Sequence, residues 1–143
     1  MNPPATQGWR CGSRRFEIKA SRPFLLGILN VTPDSFSDGG RYQRVDAAVK
    51  HGLQLCEEGD GLDVGGESTR PGAEAISAKE ERGRVIPVLQ EIRKERPDIF
   101  LSVDTYKVEV ARAAFEEAGV DVVNDVSGGR WDEGMWDCVA SVG

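Results

Sequence analysis

Leu62-Asp63-Val64-Gly65-Gly66-Glu67-Ser68-Thr69-Arg70-Pro71-Gly72 is the stretch on which the fold turns. A short apolar strand runs straight into paired glycines, then a carboxylate, two hydroxyls and an arginine, closed by Pro-Gly. The glycines carry no Cβ, so backbone N–H groups can approach a ligand closely. Arg70 presents a fixed fork of donors that matches phosphate oxygens, and Ser68 and Thr69 add hydroxyl donors. The chemical reading is an anion-binding loop at the C-terminal end of a strand. The bland reading is a tight turn with a solvated arginine. Three other strands end in the same polar way, and that repetition favours the first.

Upstream, Phe24-Leu25-Leu26-Gly27-Ile28-Leu29 is apolar on both faces, as a buried parallel strand should be, and it ends at Asn30. A loop with Pro33, Gly39 and Gly40 leads to a predicted helix over Val45 to Glu58, whose stripe of Val45, Ala48, Val49, Gly52 and Cys56 recurs at helical spacing. Downstream of the loop, Ser77-Ala78-Lys79-Glu80 reads as a capping box, opening a helix that runs to about Arg96. Pro87 should kink that helix or mark a boundary in it. A third strand, Ile99 to Val103, ends at Asp104, and a helix over Val108 to Ala118 stops at Gly119. A fourth strand, Val120 to Val123, ends at Asn124-Asp125, and a weaker helix over Glu133 to Ser141 follows. Residues 1–22 read as a tail, loose to Arg14, with a short leading strand at Arg15 to Lys19. Residues 23–143 form the domain.

Strand then helix, four times over, implies right-handed βαβ units and a parallel sheet. No G-x-G-x-x-G follows a strand, so a dinucleotide-binding fold loses ground. In a β/α barrel the chemistry gathers at the C-terminal ends of several strands, and here those ends carry Asn30, Asp63 with its glycine loop, Asp104 and Asn124. The fold class is therefore α/β, of the (β/α)8 TIM-barrel type. A whole barrel takes about 250 residues, so the four units amount to a half-barrel.

A net charge of −6 argues against a nucleic-acid surface. The three cysteines, Cys11, Cys56 and Cys138, are odd in number and scattered, which disfavours a zinc site or disulfide framework and suits a reducing cytoplasm. No apolar run approaches the ~20 residues that span a bilayer, and Met1 to Arg22 has no signal-peptide core. The expectation is a cytoplasmic protein without membrane or nucleic-acid partners.

Four segments together carry a resemblance. They are Gly27 to Gly40 (GILNVTPDSFSDGG), Asp63 to Gly72, Ser102 to Lys107 (SVDTYK) and Asn124 to Gly129 (NDVSGG). In order and spacing they resemble dihydropteroate synthase, of the pterin-binding barrel superfamily, from about Phe24 onward. The resemblance implies a folate-pathway transferase that joins dihydropterin hydroxymethyl diphosphate to p-aminobenzoate and releases pyrophosphate. It implies Asn30 as the magnesium position, where a neutral carbonyl oxygen leaves Mg²⁺ sharing waters and diphosphate oxygens. Thr69 and Arg70 match the catalytic loop that grips the leaving group, with Pro71 beside the p-aminobenzoate site. Asp104 and Asn124 match the pterin-recognising pair. Phe36 lies in a cover, Thr32 to Gly40, over the amine-binding side. The full-length family implies a homodimer.

Departures are equally specific. Gly59-Asp60-Gly61-Leu62-Asp63 is one residue shorter than the family pattern, and one lost residue in a strand turns its side chains to the opposite face. The family's second pterin aspartate, its Ser-Arg-Lys segment and its closing Arg-x-His are absent from these 143 residues, so the chain is expected to be inactive alone. Two alternatives remain beside the transferase: a non-catalytic half-barrel that binds pterin or diphosphate, and an α/β enzyme acting on a sugar phosphate. Each residue also has a duller role. Asp104 or Thr105 can cap a helix, and Asn124-Asp125 can form an Asx turn. His51 reads as a surface histidine, Trp131 and Trp136 as packing residues, and Lys79 to Arg84 as a solvated helix face.

Overall fold

The chain folds around a parallel sheet with its helices on one face. The computed structural model describes residues 7–19, 21–33, 40–68 and 72–142. In chain order the elements are β1 (Gln7–Cys11), β2 (Arg14–Ile18), β3 (Leu26–Asn30), α1 (Arg41–Glu58), β4 (Gly61–Gly65), α2 (Ala78–Glu95), β5 (Phe100–Asp104), α3 (Val108–Ala118), β6 (Val122–Asn124) and α4 (Met135–Val142). The sheet order is β3-β4-β5-β6, every pair parallel. An unreversed order with the helices on one side is the progression of a barrel wall, not of a doubly wound sheet.

Alternation along the strands sorts the side chains. Leu29, Leu62, Val64, Leu101 and Val103 are buried in the core with Ala48 of α1, Val85, Leu89 and Ile92 of α2, and Val110 and Ala114 of α3. The stripe predicted for α1 is borne out, with Ala48 and Cys56 buried and Val45 and Val49 packed against the core. The other sheet face, which lines a barrel's interior, carries Leu26, Ile28 and Asn30, then Gly61, Asp63 and Gly65, then Phe100, Ser102 and Asp104, then Val122 and Asn124. Gly119 ends α3 as expected, in the left-handed conformation (φ 61°) that a residue without Cβ adopts freely.

Four expectations need correction. Part of the segment read as a loose tail is β1, which pairs antiparallel with β2 from Gln7↔Ile18 to Cys11↔Arg14. This hairpin covers the N-terminal ends of the strands. Trp9, Phe16 and Phe24 close on the buried Phe100 ring at centroid distances of 4.9, 5.1 and 5.4 Å. Second, of the two effects expected of Pro87, the boundary is absent: α2 runs through it, with Ile86, Val88 and Leu89 around it buried, so tertiary packing outweighs the local cost. Third, the charge run from Lys79 to Arg84 is not wholly solvated, since Glu81 within it is buried. Fourth, Trp131 and Trp136 are exposed rather than packed inside.

The shortened segment before Asp63 includes the link between α1 and β4. There Asp60 accepts hydrogen bonds from the Leu25 amide (2.9 Å) and from Arg22 (2.8 and 2.5 Å). β4 therefore starts in register, Gly61 opposite Leu26, and Asp63 faces the barrel interior.

Candidate functional site

The C-terminal strand ends bring the predicted residues to one level. Asn30 pairs with Gly65, Gly65 with Asp104, and Asp104 with Asn124, so the four form a single row across the sheet. Gly65 keeps the middle of that row open. A Cβ built there would lie 3.4 Å from Asp104 Oδ2 and 3.7 Å from Asn30 Oδ1, so these two oxygens flank a gap floored by backbone. Gly66 serves a different need: a Cβ on it would stand 2.8 Å from Val85 and 3.1 Å from Glu81, so the chain there lies tight against α2.

Asp63 lies one layer below the row. Its Oδ2 accepts a 2.8 Å hydrogen bond from Asn124 Nδ2, reaching diagonally past Ser102, its register partner on β5. Its Oδ1 is buried and has no hydrogen-bond partner among the described residues. Asp104 is pushed up to about 6, first by burial and then by the negative charges of Asp63, Glu81 and Asp125. Among the described residues, Asp63 and Asp104 thus bring two carboxylates together with no cation paired to either.

Asp125, after β6, forms an Asx turn, the duller role weighed for Asn124-Asp125. Its oxygens accept from the Ser127 amide (2.7 Å) and the Gly129 amide (2.8 Å). Thr105 Oγ1 accepts from the Lys107 amide at 3.1 Å, the local role that competed with a function at Asp104-Thr105. Asp104 makes no such cap; the first amide of α3, at Val108, donates instead to Asp132 Oδ2 at 2.9 Å. A separate groove of about 500 Å³ between α1 and α2, lined by Thr32, Pro33, Arg44, Lys79 and Arg84 among others, contains none of the strand-end acceptors.

A family model described as pterin binding enzyme matches residues 26–143. The chain belongs to that family. It is 50% identical over 127 residues to the dihydropteroate synthase of Clostridium beijerinckii, a match covering 88% of this chain and 46% of that one. Among solved structures, the dihydropteroate synthase of Xanthomonas albilineans with 4-aminobenzoic acid superposes with a TM-score of 0.85 at 49% identity, over 96% of this chain and 49% of that one. The Burkholderia cenocepacia enzyme complexed with 7,8-dihydropteroate gives 0.74 at 40% identity, over 94% and 42%. The chain thus spans about half the length of these relatives. Its four βα units are a half-barrel of the pterin-binding type.

Thr69, Arg70, Pro71 and Phe36, named from sequence, lie outside the described residues. The residues that hold the base of the glycine loop are described, and sequence reasoning passed over them. Glu67 accepts hydrogen bonds from the Ile76 amide (3.0 Å), Tyr106 Oη (2.8 Å) and Lys107 Nζ (2.5 Å). Its carboxylate thus ties the loop's first residues to its return and to the start of α3. Burial pulls Glu67 upward, but these bonds outweigh it and hold it below the usual carboxylate range. Lys107 also donates to buried Glu81; burial pulls its ammonium down, while Glu67 and Glu81 more than restore it. The only signal for Glu67, Tyr106 and Lys107 was their membership in the two motifs, Asp63 to Gly72 and Ser102 to Lys107, and Glu81 lies in neither. No group of three or more His, Cys, Asp or Glu among the described residues could hold a metal ion.

Proposed function

We propose that this chain supplies the first half of a dihydropteroate synthase active site, in the cytoplasm and within a homodimeric enzyme. The observation that carries the reading is the row Asn30-Gly65-Asp104-Asn124 beside the Gly65 to Gly72 loop. A carboxylate and an amide at one level suit a ring edge rich in N–H groups, as a pterin's aminopyrimidine is. An acceptor-rich face favours that ligand over a sugar phosphate. The relatives solved with 4-aminobenzoic acid and with 7,8-dihydropteroate support the same choice. All three cysteines are free thiols, in keeping with a reducing compartment, and no helix of the described residues is long and apolar enough to cross a membrane.

In the proposed reaction the amine nitrogen of p-aminobenzoate forms a bond to the pterin's exocyclic methylene carbon. That carbon's bond to the diphosphate oxygen breaks, pyrophosphate leaves and the amine gives up a proton. Asp104 and Asn124 hold the ring. Thr69 and Arg70 grip the leaving group, where neutralising the growing charge has most effect, and Pro71 and Phe36 border the amine. Asn30 fits Mg²⁺ in its donor chemistry: a hard, neutral, exposed oxygen suits an ion that keeps most of its shell as water and phosphate. Bound there, Mg²⁺ would supply Lewis-acid neutralisation of the diphosphate.

The test is ligand binding and turnover in the longest gene product that carries these residues. Asp104→Asn should weaken binding of the pterin diphosphate by about 10-fold or more, since it turns a donor toward the ring's own N–H groups. Binding of p-aminobenzoate, measured with saturating pyrophosphate, should barely move. Equal losses for both ligands would mean misfolding. Asn30→Ala should cut Mg²⁺-dependent turnover, and Arg70→Lys should do the same because a point charge cannot replace a bidentate fork. Unchanged turnover in both would sink those assignments.

A further inference from the structure

Asp63 is harder to explain than any other side chain near the strand ends. It is 9% exposed and anionic by type, yet no cation reaches it among the described residues. Its one side-chain partner is Asn124, and its Oδ1 has none. A carboxylate kept for packing alone would leave that oxygen desolvated without compensation. Leu62 and Val64 on either side take their places in the apolar core, so Asp63 faces the interior side by strand alternation, beneath the row that ends the sheet.

The contact with Asn124 has a directional consequence. An amide can turn either its oxygen or its nitrogen toward a ligand. With Nδ2 committed to the carboxylate below, the Asn124 oxygen is the atom left to accept from a ligand. Beside it stands Asp104, also an acceptor. The pair then selects a ligand edge that presents neighbouring N–H donors.

We propose that Asp63 is a positioning residue of the pterin pocket: it locks the Asn124 amide with its oxygen left to accept from the ligand and offers its own second oxygen to a donor of the same ligand. This rests on the pterin reading above. The charge of Asp63 reaches Asp104 as well. Of the groups facing Asp104, Asp63 comes from β4, Glu81 from α2 and Asp125 from the turn after β6, and all three oppose its ionisation after burial has done so. Lys107 is held by Glu67 and Glu81.

Two variants separate positioning from mere structure. Asp63→Asn keeps an acceptor for Asn124 and removes the charge; Asp63→Ala removes both. Carboxyl-carbon NMR should show the Asp104 midpoint moving down from about 6 in either variant, toward the ordinary value of 3.8. The Asn124 side-chain amide resonances should move in Asp63→Ala and largely hold in Asp63→Asn. Affinity for 6-hydroxymethyl-7,8-dihydropterin diphosphate should fall about 10-fold or more in Asp63→Ala, and less in Asp63→Asn, with pyrophosphate affinity unchanged in both. If Asp63→Ala does not fold, Asp63→Asn alone decides through the Asp104 midpoint and the pterin affinity. An unmoved Asp104 midpoint together with pterin affinity within 2-fold of the parent overturns the proposal. If the parent binds no pterin while the Asn124 resonances still answer to Asp63, the positioning stands and the pterin reading falls.

Discussion

The two ends of the sheet treat the same side chain in opposite ways. At the N-terminal end, Asp121 precedes β6 with its side chain 2% exposed, and every part of it is answered. Arg14 of the hairpin reaches it at 3.1 Å, Arg93 of α2 at 2.9 Å, and the Leu101 amide of β5 at 2.9 Å. At the C-terminal end, Asp63 has one amide partner and an orphaned oxygen, and Asp104 is crowded by like charges. A carboxylate that staples the fold collects its cations from the protein. Asp63 and Asp104 are left short of donors among the described residues, which is the pattern the proposed ligand site calls for.

The largest expected effect breaks the satisfied end. Asp121→Ala strands Arg93 and the Leu101 amide and releases the hairpin, so it should cost about 3–5 kcal/mol in urea denaturation. A loss below ~1 kcal/mol would mean that the two ends are not so different. A smaller effect of opposite sign is expected at the other end. The folded-state pKa of Asp104 is raised from 3.8 to about 6, so the folded chain binds this proton more readily than the unfolded one. Stability from this group is therefore lost as pH rises through that window, and the cost is full above it. Asp104→Asn should stabilise the chain by ~1 kcal/mol near neutral pH, after discounting for solvent at this partly buried site, and by almost nothing near pH ~3.5. Equal effects at both pH values would contradict the crowding.

The smallest effect concerns the interior face between the two ends. Ile28 on β3 is 69% exposed, whereas Leu29, the next residue, is 1% exposed. Ile28→Thr should change stability by no more than ~0.5 kcal/mol. It should also reduce self-association on size-exclusion chromatography, because β3 is an edge strand that presents Leu26 and Ile28 to any second copy. An elution volume that does not respond would show that this face is not what brings copies together.

Much of the architecture was legible because local signals agreed with one another. Four apolar runs alternating with helical stripes, the Gly119 stop and the polar strand ends all follow from periodicity and backbone chemistry near each residue. The hairpin was only half legible. Arg15 to Lys19 alternates and reads as a strand, but Gln7 to Cys11 has no apolar rhythm and is ordered by a partner strand and by the Phe100 ring beneath Trp9. The boundary allowed for at Pro87 fails for the same reason: the local cost is visible in the sequence, and the burial that outweighs it is not.

The sequence by itself determined the succession of elements, the strand-end residues Asn30, Asp104 and Asn124, and the family they belong to, since each rests on residue types at short spacing. Only the tertiary structure decided which carboxylates are satisfied. Asp63, Glu81, Asp104 and Asp121 are alike in charge type, and nothing within a few positions of any of them tells a carboxylate answered by cations from one left without them. That difference arises from partners brought in across long separations, Arg14 to Asp121, Lys107 to Glu81 and Asn124 to Asp63, and from the burial that makes an unmet acceptor costly.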